Sequence, residues 1–561
     1  MIFSDIFKIV FLCFITVTLR AQVDSISFIS PVDHPERVSG NFMELRSNHF
    51  HAGLDLKSSE GKVGDNIRAV ADGYISRVKV QAGSYGKVLY IDHPNGLTTV
   101  YAHLRNFYPE LEQWVKELQY AKKSFELDIY LTDTIFPVRQ GQLIGNMGNT
   151  GRSFGPHLHF EVRDTRTEKP LNPESFGFGP DDSIAPVIEN LVVYYFDDNA
   201  RQTDQFTRYL TKKSGNYTLY TRTLALRESH VAFGIQAFDR IDGSYNKNGI
   251  NSYELFLDDS LMISWRADNY AFYEAKKING FIDYAKYRDN GQKIYRLHSP
   301  KCSSLNAIKG SGIIERRADS PSNVRITVSD IAGNKSTLEF DIEFESTESI
   351  KDKMSFTCDS LYEIQSDEFK LRFEKHSFFF PLPSKSIRPL SLEIMGQNCE
   401  GIKVFEPELA LAEYYSISSA IPDTNPQKWC FVMKDKRGRW VNFGAYVKDS
   451  NLYTELDQCG EVYLYKDDLA PVIELVYLDN NKKQPWIFRI SDNLIPDGKT
   501  PDLYYEAYAN DQWLCFEYDL KSNQLIFDDF EMLPEEDFVF SLKVRDDQGN
   551  ETLFTREIPK G

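Results

Sequence analysis

The run His157-Leu158-His159-Phe160-Glu161-Val162 alternates polar and apolar residues without a break, and a period of two marks a β-strand with one face in a core. As a strand it places His157, His159 and Glu161 on one face and Leu158, Phe160 and Val162 on the other, so two imidazoles project side by side from an anchored element. One such pair is as often a set of satisfied polar residues as a metal site. A second cluster upstream, His51-Ala52-Gly53-Leu54-Asp55-Leu56, repeats the arrangement, with His51, Gly53 and Asp55 on one face and Leu54 and Leu56 on the other. Imidazole nitrogens and one carboxylate oxygen are a set that Zn²⁺ takes as three protein ligands while keeping a fourth position for water.

The sequence around these clusters is β-patterned. Ile67–Val70, Gly73–Val80, Lys87–Asp92 and Leu97–Leu104 are short runs rich in β-branched and aromatic residues, separated by turns such as Pro94-Asn95-Gly96. Their spacing predicts an antiparallel sheet. Between about 108 and 137 the pattern breaks. Pro109 opens a segment with Leu111, Trp114, Val115, Leu118 and Ala121 at helical spacing, which predicts an amphipathic helix whose stripe packs on the core, and a strand over 126–131 follows.

Seven of the ten histidines, His34, His49, His51, His93, His103, His157 and His159, fall before residue 180. His34 and His93 each precede a proline in a predicted turn and read as structural. His49 reads as a neighbour of the site rather than a ligand.

The motifs Arg46 … His51-x-Gly53-x-Asp55, Tyr101-Ala102-His103-Leu104, Gly141-Gln142-Leu143-Ile144-Gly145 … Gly148-Asn149-Thr150-Gly151 and Gly155-Pro156-His157-Leu158-His159-Phe160-Glu161 resemble, in order, those of the LytM/lysostaphin-type zinc metallopeptidases, the M23 family. The resemblance covers about residues 25–175 and departs from many members at the 108–137 insertion. It implies one Zn²⁺ per chain held by His51, Asp55 and His159, with His103 and His157 beside the fourth coordination position. Zinc lowers the pKa of water from about 15.7 to near 7. A neighbouring imidazole can then carry a proton to the leaving amine, and another can hydrogen-bond the oxyanion. Which of His103 and His157 is the base stays open. The implied activity is endopeptidase cleavage of peptidoglycan stem or cross-link peptides. Two decoys fall away. Gly151-Arg152-Ser153-Phe154-Gly155 matches a serine-hydrolase elbow, but Pro156 and a strand follow it where a helix is needed. Gly83-Ser84-Tyr85-Gly86-Lys87 lacks phosphate-loop spacing and reads as a hairpin turn.

A chain of 561 residues exceeds one core. Its net charge of −18 argues against a nucleic-acid partner. Met1–Ala21 reads as a secretory signal, with Lys8 before an apolar run too short to span a membrane, and no later stretch is long and apolar enough to do so. The expected location is therefore outside the cytoplasm, in the periplasm, the cell envelope or beyond. Six cysteines follow the signal, all in the second half, and fit disulfides or buried thiols equally.

Beyond Asn172 the chain is aromatic-rich and β-patterned. Ala185-Pro186-Val187-Ile188-Glu189 is echoed by Ala470-Pro471-Val472-Ile473-Glu474, and Val328-Ser329-Asp330-Ile331-Ala332-Gly333-Asn334 by Val544-Arg545-Asp546-Asp547-Gln548-Gly549-Asn550. In the later copy the proline and the last asparagine are 79 residues apart, the size of one Ig-like sandwich, and in the earlier 148 apart, implying a large insertion or two subunits. The aspartates fit turn contacts better than Ca²⁺ ligation. The expected organisation is mainly β: signal 1–21, peptidase-like antiparallel domain 22–180 with its helical insertion, a β-sandwich with insertion 181–345, a β module 346–465 and an Ig-like sandwich 466–561. The C-terminal modules serve either as spacers or as binders of an envelope protein or glycan. A non-enzymatic regulator or wall-binding scaffold on the same fold is the alternative function, and a latent enzyme covered by the insertion is a third.

Overall fold

The structure, a computed structural model, describes residues 27–46, 48–213, 215–316, 321–345, 356–382, 387–478, 484–498 and 503–559, and the expected signal segment lies outside them. Its organising sheet runs in the order Val38–Gly40, Leu54–Lys57, His157–Asp164, Leu97–Phe107, Lys87–Asp92, Gly73–Val80, Pro137–Val138. Neighbours on this path are antiparallel, as their alternation requires. The His157–Asp164 strand sits centrally because its apolar face has no other place to go. Leu158, Phe160 and Val162 are fully buried with Leu54, Leu56 and Tyr101, and each such side chain contributes roughly 1.5–3 kcal/mol. In this register His159 lies opposite Asp55 on one side and Ala102 on the other. Side chains directly across an antiparallel pair share a face, so pairing alone brings two of the predicted ligands together.

The strand reading of residues 51–56 holds only from Leu54, where the strand Leu54–Lys57 begins. His51 stands on the preceding loop, held by backbone hydrogen bonds to Glu44 and Met43. The predicted helix spans Pro109–Lys122, opening with proline at a first-turn position and closing at Lys123 in the left-handed conformation. Leu111 and Val115 enter the core. Its outer face meets the last module: Lys116 pairs with Asp529 at 2.7 Å, and the Tyr120 hydroxyl donates to the same carboxylate at 2.7 Å.

The following twelve-stranded sheet coils around one continuous core that includes Leu191, Phe233, Leu255, Ile326 and Leu338. Val187–Phe196 pairs with His230–Phe238, and Ser252–Leu257 pairs with both Ser260–Arg266 and Ser322–Ser329. In the last module Val472–Tyr477 pairs with Trp486–Ser491, and Tyr504–Ala509 with both Gln512–Leu514 and Phe538–Arg545. These pairings correspond between the two, and in the earlier copy additional strands, Gln202–Lys213 and Asn216–Leu219 among them, lie between its first strand and His230–Phe238.

A five-stranded and a six-stranded sheet form the third module, and two four-stranded sheets form the last. Ile495–Pro496 of the last module joins the six-stranded sheet of the third beside Trp440–Asn442. Cys302 and Cys358 form a disulfide that links the second module to the third. Cys399, Cys430 and Cys459 are buried thiols and Cys515 a half-buried one, so both readings of the cysteines are realised.

Candidate metal centre

His51 Nδ1 lies 2.8 Å from the backbone carbonyl of Asn41. A carbonyl only accepts, so Nδ1 carries the hydrogen and Nε2 turns its lone pair inward. His159 is fixed the other way round. Its Nε2 lies 2.9 Å from Glu161 Oε1, which leaves Nδ1 facing inward. His51 Nε2 and His159 Nδ1 are 3.0 Å apart, and Asp55 Oδ1 lies 2.9 Å from the first and 3.0 Å from the second. Three electron-pair donors facing one another at these distances repel unless a proton or a cation lies among them. That donor set, with each imidazole donating its other N–H to a carbonyl or carboxylate, is what a zinc site requires.

The supports are layered. Asp55 Oδ2 accepts from Arg46 at 3.0 Å, and Gly40 passes so close that an added Cβ would lie 2.3 Å from that guanidinium and 2.7 Å from Asp55. Burial alone would raise the Asp55 pKa, but His51, His157 and His159 outweigh it and hold the carboxyl well below its ordinary value. Glu161 has no exposed surface. It accepts from His159, from the Tyr85 hydroxyl and from Arg163 Nε at 2.6 Å. Arg163 foremost, and His159 with it, overcome its burial and hold its carboxyl well below the ordinary range. His159 in turn is disfavoured as a cation by burial, but Asp55 and Glu161 raise its pKa to about 9.

His103 reaches the site by a backbone irregularity. It has φ of 61°, uncommon for a residue other than glycine though less so for histidine, and it lies where pairing with Lys87–Asp92 shifts register. Its N–H donates to Tyr85 O at 2.9 Å and its Nδ1 to Thr150 O at 2.8 Å, leaving Nε2 toward the cleft. Burial, with His159 and His157 adding to it, depresses its pKa to about 3, so the ring is neutral. His157 Nδ1 lies 2.8 Å from Gly155 O, and its Nε2 is 3.4 Å from Asp55 Oδ1. The His103 and His157 rings are 4.8 Å apart.

All five residues singled out in the sequence thus meet at one end of the central sheet. His49 is exposed on the Leu45–Arg46/His49–Phe50 ribbon. His34 lies beside Asp65 at 3.4 Å, and His93 is buried between Asp72 O and Thr99. Sequence reasoning missed Tyr85, which stacks on His159 at 5.2 Å, and Asn41. It also missed Arg163, although Arg163 continues the same alternation and could have been found.

The centre opens into a groove of about 1680 Å³. One wall carries Arg152 and the fully exposed Phe154, and another comes from the last module with Tyr504, Trp513 and Leu520.

The description "Peptidase family M23" matches residues 49–121 and 130–173, and the gap falls inside the helical insertion. The DD-carboxypeptidase/endopeptidase Mpg of Neisseria gonorrhoeae is 35% identical over 131 residues, 23% of this chain and 24% of that protein. The peptidoglycan DD-endopeptidase ShyC of Vibrio cholerae is 33% identical over 138 residues, 24% and 25% of the two. The similarity spans about a quarter of the length of these relatives. Among solved structures, a zinc-containing peptidase from Vibrio cholerae aligns at 24% identity over 28% of this chain and 40% of that one, with a TM-score of 0.19. The catalytic domain of lysostaphin from Staphylococcus simulans aligns at 21% over 25% and 91%, with a TM-score of 0.18.

Proposed function

We propose that the chain, whose residues 49–121 and 130–173 match peptidase family M23, is an exported zinc endopeptidase that hydrolyses peptide bonds in the stem or cross-link peptides of peptidoglycan. The observation that carries the reading is the convergence of His51 Nε2, Asp55 Oδ1 and His159 Nδ1 within 3.0 Å of one another, with two further imidazoles alongside. Held by those three atoms, Zn²⁺ supplies a Lewis acid for the scissile carbonyl and acidifies water.

The remaining work belongs to this chain's own residues. His103 is neutral, and its Nε2 can accept the proton of the attacking water and return it to the departing amine. His157 donates Nδ1–H to Gly155 O, and once its Nε2 also carries a proton that N–H can donate a hydrogen bond to the developing oxyanion. The two roles can be exchanged between them without changing the chemistry. Glu161 and Asn41 hold the ligand imidazoles in the required tautomers.

Two lines support the substrate class: Mpg and ShyC are named for carboxypeptidase or endopeptidase activity, and the centre opens into a groove of about 1680 Å³. Export rests on the apolar N-terminal run, on the peptidoglycan of ShyC's name, and on the disulfide. Among the described residues no helix is long and apolar enough to cross a membrane.

The test is release of peptide from purified sacculi by the mature chain. Activity should require one equivalent of zinc, vanish with a chelator and vanish in His159→Ala. A protein that takes up zinc but leaves sacculi and muropeptides untouched would favour the wall-binding scaffold instead.

A further inference from the structure

Away from the His51 centre, two groups of aspartates lie at matching places in the two repeated modules. Asp182, Asp239 and Asp330 each offer an oxygen, all within 4.8 Å of one another, and Asp467, Asp492 and Asp546 do the same. The correspondence is atom by atom. Asp182 and Asp467 both stand four residues before the proline that opens the module. Each accepts at Oδ1 from the backbone two residues on, Ile184 at 3.1 Å and Leu469 at 3.2 Å. Asp239 and Asp492 directly follow the strand that pairs with the module's first strand. Asp330 and Asp546 begin the last hairpin turn. There Asn334 and Asn550 bond the aspartate carboxylate at 2.8 Å and donate at 3.0 Å to the carbonyl of Asp182 or Asp467.

Turn formation accounts for those contacts but not for the atoms left over. Asp239 is 2% exposed and Asp467 0%, yet Asp239 Oδ1 and Asp467 Oδ2 accept no hydrogen bond among the described residues. A buried carboxyl oxygen without a partner is costly whether the group is neutral or ionised, and one stands in each cluster, on the strand-end aspartate of the first and the linker aspartate of the second. Asn248 is the antiparallel bridge partner of Asp239, which puts both side chains on one face, and it too is 2% exposed, with neither side-chain amide atom bonded among the described residues. Burial, together with the charges of Asp182 and Asp330, pushes the Asp239 carboxyl up to about 8. The donors are all oxygens from carboxylates and an amide, with no nitrogen or sulfur, which suits a hard cation of flexible coordination.

We propose that each of these two modules binds one Ca²⁺ among its three aspartates, at the pole where the preceding module joins it. The ion would tie three pieces together: the incoming linker through Asp182 or Asp467, a strand end through Asp239 or Asp492, and the hairpin turn through Asp330 or Asp546. It would thereby fix the angle between successive modules. The second site is the weaker, because Lys428 hydrogen-bonds Asn550 beside it and already supplies positive charge. The inference stands apart from the peptidase reading, since neither cluster shares a residue with the His51 centre.

Equilibrium dialysis of the mature chain against ⁴⁵Ca²⁺, with one equivalent of Zn²⁺ and excess Mg²⁺ present, tests it. Two saturable equivalents are expected, one in Asp239→Asn, one in Asp492→Asn and none in the double variant. Zinc content should stay at the wild-type value throughout. Asp330→Asn and Asp546→Asn replace the first pair if near-ultraviolet circular dichroism shows a variant unfolded. No saturable calcium in the wild-type chain, two equivalents surviving in both single variants, or displacement by the magnesium would each overturn the assignment.

Discussion

Glu161 makes three contacts of different kinds with one buried carboxylate, and removing its charge separates ligand positioning from ligation. Glu161→Gln keeps the shape but no longer fixes the His159 tautomer by an ionic hydrogen bond. Zinc affinity should fall about 10–100-fold, measured by competition with a chromogenic chelator, while circular dichroism stays native. Unchanged affinity would mean that His159 is oriented by the Tyr85 stack alone. His103→Ala and His157→Ala should behave differently from either. Both should retain one zinc per chain and lose about 10²–10⁴ in kcat, and in the variant that lacks the base the residual activity should no longer show that imidazole's fall on the acidic limb of the pH profile. Loss of zinc in either variant would move that histidine from proton transfer to ligation.

At the scale of the element, the centre depends on how closely the loop after His51 approaches the His157–Asp164 strand. Gly53 meets that strand so tightly that an added Cβ would lie 2.1 Å from the Phe160 carbonyl oxygen and 2.9 Å from Glu161. A backbone atom cannot swing aside as a side chain can. Gly53→Ala should therefore cost about 1–3 kcal/mol, read as a lower denaturant midpoint at unchanged slope, and should weaken zinc binding as well, because the displaced strand carries His159. Wild-type zinc affinity at reduced stability would show that the loop relaxes without moving the ligand.

The same contrast explains what could be seen in advance. Residues on regular strands, His157, His159, Glu161 and Asp55, announce themselves by a period of two, and their cross-strand pairing follows from which face is apolar. His51 stands on a loop, Tyr85 in a hairpin turn and His103 on an αL irregularity inside a long strand. No periodicity marks such positions. His51 was singled out by an alternation that its loop does not keep, His103 was found only through its motif, and Tyr85 not at all. The two module repeats were legible as short similar words around proline and Asn, but the length between them hid which of their strands correspond.

For the whole molecule, the chain's end returns to its beginning. The helix Pro109–Lys122 braces the last module through Asp529, Tyr120 packs on Trp513 at 5.6 Å, and Lys87 pairs with Glu517 at 3.5 Å. The insertion is thus less a lid than a bracket: it holds Tyr504 and Trp513 along the groove, with only its end near Lys123–Glu126 lining the space itself. If the substrate spans both walls, Phe154 on one and Tyr504 on the other grip parts of it remote from the scissile bond, and such contacts act on binding more than on the chemical step. Phe154→Ala and Tyr504→Ala should each raise KM on soluble cross-linked muropeptides several-fold with kcat and zinc content unchanged, since both side chains are exposed at 107% and 42% and their loss disturbs no core. A raised KM in Phe154→Ala beside a wild-type KM in Tyr504→Ala would confine the substrate to the peptidase domain and leave the last module a strut. Equal effects in both would make that module, which lies more than 300 residues along the chain from His159, part of the binding site.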